Sequence, residues 1–339
     1  MGRLLARLDW PDRVGLALVL VWMLWAATAA LLDGRLLSPT SPYVLGPLFI
    51  VAGVVAGRLI APHASARRTT LWLLVAVLLF LTGVLIPATP MRQLVDYANA
   101  YAAVAVQLLA LCGLALLSAR GLDRLLLGVA SLGALLVIVE NRSVAGLAVV
   151  GPLVLAIILV VWRPPRHRWW AVTLGVLSLL AGSAAVLALA GRAQWPPRVL
   201  QGLDSARKQL WNDALALWRA HPLTGGGPGS FRDASPLAVD PDTSTAHSSL
   251  LQVGSETGVI GVVVLALLVV TGLVVACRGV PAAAVVGVAG WTALWVHSLA
   301  DHLLEFAVVA VAAGMVLGWA GAVRSEQLDV AEGEGPVPR

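Results

Sequence analysis

The sequence predicts an all-α protein, a polytopic transmembrane helical bundle of about ten spans with one long loop outside the membrane. Of its 339 residues, 59% are hydrophobic and 12% are charged, whereas soluble domains are about 45–50% apolar and about 25% charged. The apolar residues form long continuous runs, and about 20 helical residues cross the hydrocarbon layer of a bilayer. The runs lack the alternation of outer-membrane barrel strands. An ordinary soluble enzyme is therefore excluded.

Ten apolar runs are long enough to cross a membrane, seven before a polar segment and three after it. The predicted spans cover residues 14–32, 43–60, 71–86, 98–118, 125–139, 144–162, 169–190, 258–277, 280–300 and 303–323. The first run is longer than the about 7–15 apolar residues of a signal peptide, so we interpret it as an uncleaved anchor. The chain then divides into a seven-helix region (1–190), an extracytoplasmic loop (191–257), a three-helix region (258–323) and a disordered cytoplasmic tail (324–339).

The positively charged residues predict that both termini are cytoplasmic. In that orientation fourteen of the 23 lysines and arginines lie in cytoplasmic segments: Arg3, Arg7, Arg13, Arg58, Arg67, Arg68, Arg120, Arg124, Arg163, Arg166, Arg168, Arg278, Arg324 and Arg339. The short outer loops hold only Arg35, Arg92 and Arg142. Short cytoplasmic loops are enriched in Lys and Arg, while long loops are largely exempt. The dispersed arginines form no basic tract, so no nucleic-acid partner is expected.

The long loop, residues 191–257, is where we expect function to concentrate, because it faces outward and long connections are usually functional. Asp204 and Ser205 are predicted to cap an amphipathic helix that Pro222 ends, and this helix is expected to lie on the membrane surface. A glycine-rich turn follows at residues 225–229.

A histidine and three glycines share a helical spacing at the end of the loop. Gly254, Gly258 and Gly261 follow His247 at offsets that return to one stripe of a 3.6-residue helix. Glycines on such a stripe allow a neighbouring helix to approach closely. The spacing alone rather favours a histidine that is merely solvated or hydrogen-bonded in a loop.

These residues resemble the signature of O-antigen ligases and O-antigen polymerases, in which His and then Asn, Ser or Gln precede two spaced glycines. His247, Ser248, Gly258 and Gly261 match that signature without gaps. The segment before it is similar to a second family motif, in Arg207, Trp211, Ala214, His221, Pro222, Leu223, Gly225, Gly227, Gly229 and Phe231. Asn141-Arg142-Ser143 is similar to the family's Ser-Arg element, with Asn where Ser is usual. The ten spans are fewer than the about twelve common in the family.

The resemblance implies a glycosyltransferase of polysaccharide and cell-envelope biosynthesis that acts at the outer face of the cytoplasmic (inner) membrane. A glycan would pass from a polyprenyl (undecaprenyl) diphosphate donor to a hydroxyl of a glycan, lipid or protein acceptor, with inversion and without metal or cofactor. Residues 191–257 would then be the catalytic loop, in contact with membrane lipids.

The resemblance also assigns roles to individual residues. His247 would act as the general base, while Arg207 and Arg142 would stabilise the leaving diphosphate. Residues implied in substrate binding are Trp211, Ser248, Glu256, Gly227 and Gly229; those implied in the structural motif are Gly258, Gly261, His221 and Pro222. The alternatives are arginines that reach lipid headgroups or solvent, and a glycine turn that is purely structural.

Two further polar groups invite a metal-site interpretation. Asp240-Pro-Asp242 spells the D-x-D of nucleotide-sugar transferases, although it lies in the outer loop away from nucleotide donors. A second group lies where the ninth span meets the tenth: His297, Asp301, His302 and Glu305. We expect a hydrogen-bonded cluster lining the catalytic cavity there rather than a metal site.

Other classes of membrane protein remain as alternatives. A transporter or flippase of lipid-linked sugars would favour mid-membrane charges and internal repeats, which the spans lack. A peptidoglycan polymerase of the shape or division type shares the donor class but is not supported by the His247 pattern. The sequence does not distinguish ligase from polymerase.

Overall fold

The computed structural model describes residues 9–64, 67–86, 88–240 and 243–323, and these ranges contain helices but no strand. The α-helices are α1 Trp10–Leu32, α2 Pro42–Ile60, α3 Arg67–Leu85, α4 Pro90–Val95, α5 Ala98–Leu116, α6 Gly121–Glu140, α7 Val144–Trp162, α8 Trp169–Ala190, α9 Pro197–Ala220, α10 Phe231–Ala234, α11 Ser249–Ala276, α12 Pro281–Ser298 and α13 Ala307–Ala322. Short 3₁₀ helices cover Ala61–His63, Pro236–Val239 and Leu303–Glu305. The predicted all-α class is confirmed. The predicted tail and Asp242 lie outside the described residues.

Eight of the described helices are long and apolar enough to cross a membrane: α1, α2 with its 3₁₀ extension, α3, α5, α6, α7, α8 and α11. The helix α13 is apolar but shorter, and α12 is an apolar helix of 18 residues. Each of the ten predicted spans therefore overlaps one helix. The chain is an integral membrane protein, while the number of spans and the cytoplasmic placement of both ends stay predictions.

The chain folds into two compact units, each assembled from three separate stretches. Unit 1 comprises residues 1–48, 177–272 and 295–305, and unit 2 comprises residues 49–176, 273–294 and 306–339. The predicted division into four consecutive parts follows chain order instead, and it stays a prediction.

Unit 2 is organised around α5, whose residues from Ala100 to Ala115 are all buried. Helices α3, α6, α7 and α13 pack against it. Many of its residues are alanines, and small side chains let helix backbones approach closely in membranes. The side-chain NH₂ of Gln107 donates to the carbonyl of Gly290 at 3.1 Å, while its Oε1 has no hydrogen-bond partner among the described residues.

Unit 1 has an apolar core outside the long apolar helices. The core joins the end of α8, one face of α9 and the following loop through Val186, Ala190, Trp195, Leu210, Trp211, Ala214, Phe231, Ala238, Ala246 and Leu251. Leu210, Trp211 and Ala214 of the apolar face of α9 pack against protein, while the position of α9 on the membrane surface stays a prediction. This core holds the loop against the start of α11.

The start of α11 differs from the predicted arrangement. His247 lies before the helix with a φ of 47°, and α11 begins at Ser249 and is kinked at Gly258, whose φ is 67° and ψ −169°. His247 therefore does not share one continuous helical stripe with the glycines, and that prediction is wrong. The predicted close packing at Gly254 is confirmed, because a methyl group there would overlap the Trp218 ring of α9.

Candidate functional site

The glycine-rich segment docks on the kink of α11. The amide of Gly226 donates to the carbonyl of Ser255 at 2.9 Å, and the amide of Val259 donates to the carbonyl of Pro222 at 2.9 Å. A methyl group on Gly225, whose φ is 69°, would overlap the backbone that follows Ser255, and one on Gly258 would overlap the backbone at Leu223. The segment that includes Pro222 therefore interlocks with α11, which supports the predicted structural role of Pro222 and Gly258.

Glu256, which follows this interlock, is a buried carboxylate with protein partners on both oxygens. The Tyr43 hydroxyl donates to Oε2 at 2.8 Å, and the backbone N–H of Phe231 donates to Oε1 at 3.3 Å. Glu256 therefore joins α2, α10 and α11 at one point of unit 1.

Asp301 is the centre of a second buried cluster, here called the Asp301 cluster, with Arg207, His247 and His302. Asp301 is 0% exposed, and its Oδ2 lies 3.4 Å from Nη2 of Arg207. Its Oδ1 lies 3.0 Å from Nδ1 of His302 and 3.7 Å from Nδ1 of His247. One carboxylate thus joins two residues that the sequence motifs single out.

The charge state of Asp301 follows from these neighbours. Burial raises the pKa of Asp301, but the hydrogen bond and charge of His302 and the charges of Arg207 and His247 lower the pKa by more. The net pKa lies well below the usual range of an aspartate. Asp301 is therefore an anion at neutral pH.

Arg207 is held between two carboxylates. Its Nη1 lies 3.2 Å from Oδ2 of Asp204, and its backbone N–H donates to Oδ1 of Asp204 at 2.8 Å. This second bond confirms Asp204 as a helix cap. The Nε–H of Arg207 is buried and has no acceptor among the described residues.

His247 is fixed by its backbone as well as by its ring. Its carbonyl accepts a hydrogen bond from the indole N–H of Trp211 at 3.3 Å. Its ring meets the His302 ring edge to face, with centroids 4.5 Å apart. Trp211 is 1% exposed, and Ser248 accepts from the backbone N–H of Leu251 at 3.4 Å. In this structure Trp211 and Ser248 support the backbone around His247.

Three sequence-selected residues have a backbone conformation that is costly for residues with a Cβ. Among the described non-glycine residues, positive φ values occur at Asp96, Arg142, Asp204 and His247. Such conformations cost about 1–3 kcal/mol each and cluster at functional sites. His247, Arg142 and the Asp204 cap of Arg207 are thus held in place by the surrounding fold.

A cavity of about 530 Å³ lies in unit 1 beside both buried clusters. Its polar lining includes Tyr43, Arg232, Gln252, Glu256, His302 and Glu305. His302 is the member of the Asp301 cluster that lines the cavity; Arg207 and His247 do not line it. Tyr43 and Arg232 were not singled out by sequence reasoning, since neither belongs to a motif, while His302 and Glu305 were expected to line a cavity and do so.

Arg142 belongs to unit 2 and occupies the turn between α6 and α7. Asn141 beside it accepts a hydrogen bond from Nη1 of Arg92 at 3.0 Å, and the Arg92 guanidinium carbon lies 5.1 Å from the centre of the Tyr101 ring. Ser143 caps α7 by accepting from the backbone N–H of Gly146 at 3.1 Å. Arg92 thus binds the residue that precedes Arg142, and sequence reasoning selected only Arg142.

The predicted polar group at the end of α12 is divided by the structure. Asp301 and His302 join the Asp301 cluster, Glu305 lines the cavity, and His297 is buried within α12. One ligand atom each from His247, Asp301 and His302 lie within 4.8 Å of one another, a spacing compatible with a divalent metal ion. The guanidinium of Arg207 on the same carboxylate already supplies positive charge there.

These features define a class of protein: an integral membrane protein of helices with a buried arginine–carboxylate–histidine cluster beside a polar cavity. Residues 127–266 match the Wzy_C family model, which is described as O-antigen ligase. The match supports the predicted family, the O-antigen ligase/polymerase family, and it includes Arg142, Arg207 and His247. This similarity favours a membrane glycosyltransferase of the ligase/polymerase type, a type whose substrates are lipid-linked glycans. A comparison with curated proteins gave no match.

Proposed function

We propose that the protein transfers a glycan from a polyprenyl diphosphate donor to an acceptor hydroxyl at the outer face of the cytoplasmic membrane. The observation that carries this proposal is the contact of one buried carboxylate, Asp301, with both Arg207 and His247. Arg207 lies 94 positions from Asp301 in the chain, yet both belong to one ion-pair cluster with His247. The family match supports the same donor class.

In this reaction the hydroxyl oxygen of the acceptor attacks the anomeric carbon of the donor while the bond from that carbon to the diphosphate breaks. The hydroxyl proton passes to His247, and the bonding electrons leave with the diphosphate. A single displacement of this kind inverts the anomeric centre. No metal takes part, because protein cations carry the charge.

The ionised Asp301 orients the imidazole of His247 and stabilises the imidazolium that forms. Arg207 neutralises the departing diphosphate, and its free Nε–H is a donor for a phosphate oxygen. For Arg142 a role in binding phosphate is proposed on the family resemblance alone. His302 and Arg232 line the cavity in which the sugar units are bound.

The experiment uses membranes that contain the full-length protein, a polyprenyl-diphosphate-linked saccharide and an acceptor. We expect His247→Ala and Arg207→Ala to abolish transfer at an unchanged protein level. Arg219→Ala is the matched control, since Arg219 is exposed on the same helix α9, and it should retain activity. Wild-type activity in both site variants would refute the proposal.

A chelator tests the metal-free mechanism. Transfer should continue in its presence, because Arg207 occupies the carboxylate that a metal would need. Loss of activity that a divalent cation restores would instead assign a metal to His247, Asp301 and His302. The saccharide that accumulates on lipid after removal of the protein separates the two subtypes: a single repeat unit indicates a polymerase and long chains indicate a ligase.

A further inference from the structure

Unit 2 contains a second, larger cavity with a different chemistry. Its volume is about 1100 Å³, and its lining is mostly apolar, with Leu73, Phe80, Leu108, Val311 and Met315 along its length. The lining residues of α3 run from Arg67 to Phe80, which corresponds to about 20 Å of helix. A long apolar groove on a membrane protein fits a hydrocarbon chain.

One end of this groove is basic. Arg67 and Arg68 at the start of α3 line it together with His63. Arg67 is paired with Asp123 at 2.9 Å, whereas Arg68 is exposed at the mouth. Trp72 lies one turn after Arg68 and lines the same groove. An anionic group at this mouth would meet the guanidinium of Arg68.

A buried donor without a partner lies at the same end. Trp319 lines the groove and is 1% exposed, and its indole N–H has no acceptor among the described residues. The backbone of Trp319 lies beside Gly57, near the end of α2 that leads to His63. A buried indole N–H usually has a partner. A ligand that carries acceptor oxygens next to its hydrocarbon chain would supply one.

The position of the basic mouth distinguishes this ligand from the glycan donor. Asp123, the partner of Arg67, lies in the first turn of α6, while Arg142 follows the last turn of that helix. The helix has 20 residues and is therefore about 30 Å long, the thickness of the hydrocarbon layer. The headgroup at Arg68 and an anion at Arg142 thus belong to opposite leaflets.

We propose that this groove is a binding site for an anionic glycerophospholipid of the cytoplasmic leaflet. One acyl chain occupies the apolar groove, the phosphate contacts Arg68, and oxygens near the glycerol accept from the indole N–H of Trp319. The site does not depend on the glycosyl transfer proposed above.

The test measures how many lipids the delipidated full-length protein retains, by native mass spectrometry. The probes are dioleoyl phosphatidylglycerol and dioleoyl phosphatidylcholine, which have the same chains but differ in net charge. We expect preferential retention of one phosphatidylglycerol. Arg68→Gln should weaken its binding by about fivefold, and Ala76→Trp, which fills the groove, should remove it. Arg124→Gln is the matched control, because Arg124 is exposed beside Asp123 but does not line the groove.

Several outcomes would overturn the proposal. Equal retention of both lipids would show that charge is not recognised, and equal effects of Arg68→Gln and Arg124→Gln would show that the groove is not the site. Displacement of phosphatidylglycerol by an equimolar amount of undecaprenyl phosphate would assign the groove to the donor lipid.

A second measurement does not depend on the folding of Ala76→Trp. Brominated phosphatidylglycerol at low mole fraction should quench the fluorescence of Trp72 more than brominated phosphatidylcholine does. The excess should disappear in Trp72→Phe and in Arg68→Gln. Equal quenching by the two lipids in the wild-type protein would contradict the proposed site.

Discussion

Replacement of Asp301 by asparagine removes the negative charge from the Asp301 cluster while it preserves the shape of the side chain. Asp301 is fully buried, with Arg207 on one oxygen and the two histidines on the other. The amide leaves Arg207 with Asp204 as its remaining carboxylate partner. It also presents an NH₂ group where the imidazole nitrogens now face an anion.

The magnitude follows from the burial of the cluster. Loss of one partner of a buried ion pair costs about 3–5 kcal/mol of folding stability. Asp204 retains part of the interaction, since it contacts Arg207 from the solvent side, so we expect the lower end of that range. A general base contributes about 10²–10⁴-fold to the reaction rate. If His247 loses its orientation, the rate should fall by up to that factor.

The assay is glycan transfer by membranes at saturating donor, so that the change is measured in kcat. Protein level and thermal unfolding are measured on the same membranes. Asp233→Asn is the control, because Asp233 is an exposed carboxylate of unit 1 paired with Arg35, and its rate should stay within about twofold of wild type. A wild-type kcat in Asp301→Asn would refute the role of Asp301 in orienting His247.

Three further predictions concern stability. The pKa of Asp301 is lower in the folded than in the unfolded protein, so its contribution to folding stability is present above about pH 4 and lost as the pH falls through the folded pKa. The unfolding temperatures of wild type and Asp301→Asn should therefore converge in acid. A difference that stays constant with pH would contradict this. Gly258→Ala should lower the free energy of unfolding by about 1–3 kcal/mol. Gly128→Ala, at an open helical position, should leave it unchanged. Tyr43→Phe should lose about 1.5–3 kcal/mol with its bond to Glu256; an unchanged unfolding temperature would argue against that bond.

The helices were predictable because the thickness of a bilayer sets how many apolar residues a spanning helix needs, and runs of that length can be found in the sequence. All ten predicted spans overlap a helix, and Asp204 caps the part of α9 that follows the kink at this residue. The boundary at α11 was less predictable. Gly258 kinks the helix while the chain on both sides remains helical, so the helix extends to Ser249 through residues that read as loop.

The site was predictable only where the chain carries a local motif. His247 and Arg207 belong to motifs, but Asp301 lies 94 positions from Arg207 and its role depends on tertiary contact. The same holds for Tyr43 and Glu256, which are 213 positions apart. The conformation of His247 could not be read from its residue type either, because φ values above zero are unusual for residues with a Cβ.

The burial of α5 has a consequence for how the two kinds of membrane helix tolerate mutation. In the apolar 18-residue stretch of α5, 89% of the residues are buried within the protein, whereas in that of α8 only 11% are buried. A helix with mostly protein neighbours is constrained by volume, so its alanines should reject leucine or phenylalanine. A helix with mostly lipid neighbours is constrained by the free energy of transferring its side chains from water to lipid. The helix α8 should therefore accept apolar side chains of any size and reject charged ones. In a saturation mutagenesis scan, the two helices would therefore show opposite patterns despite nearly equal hydropathy.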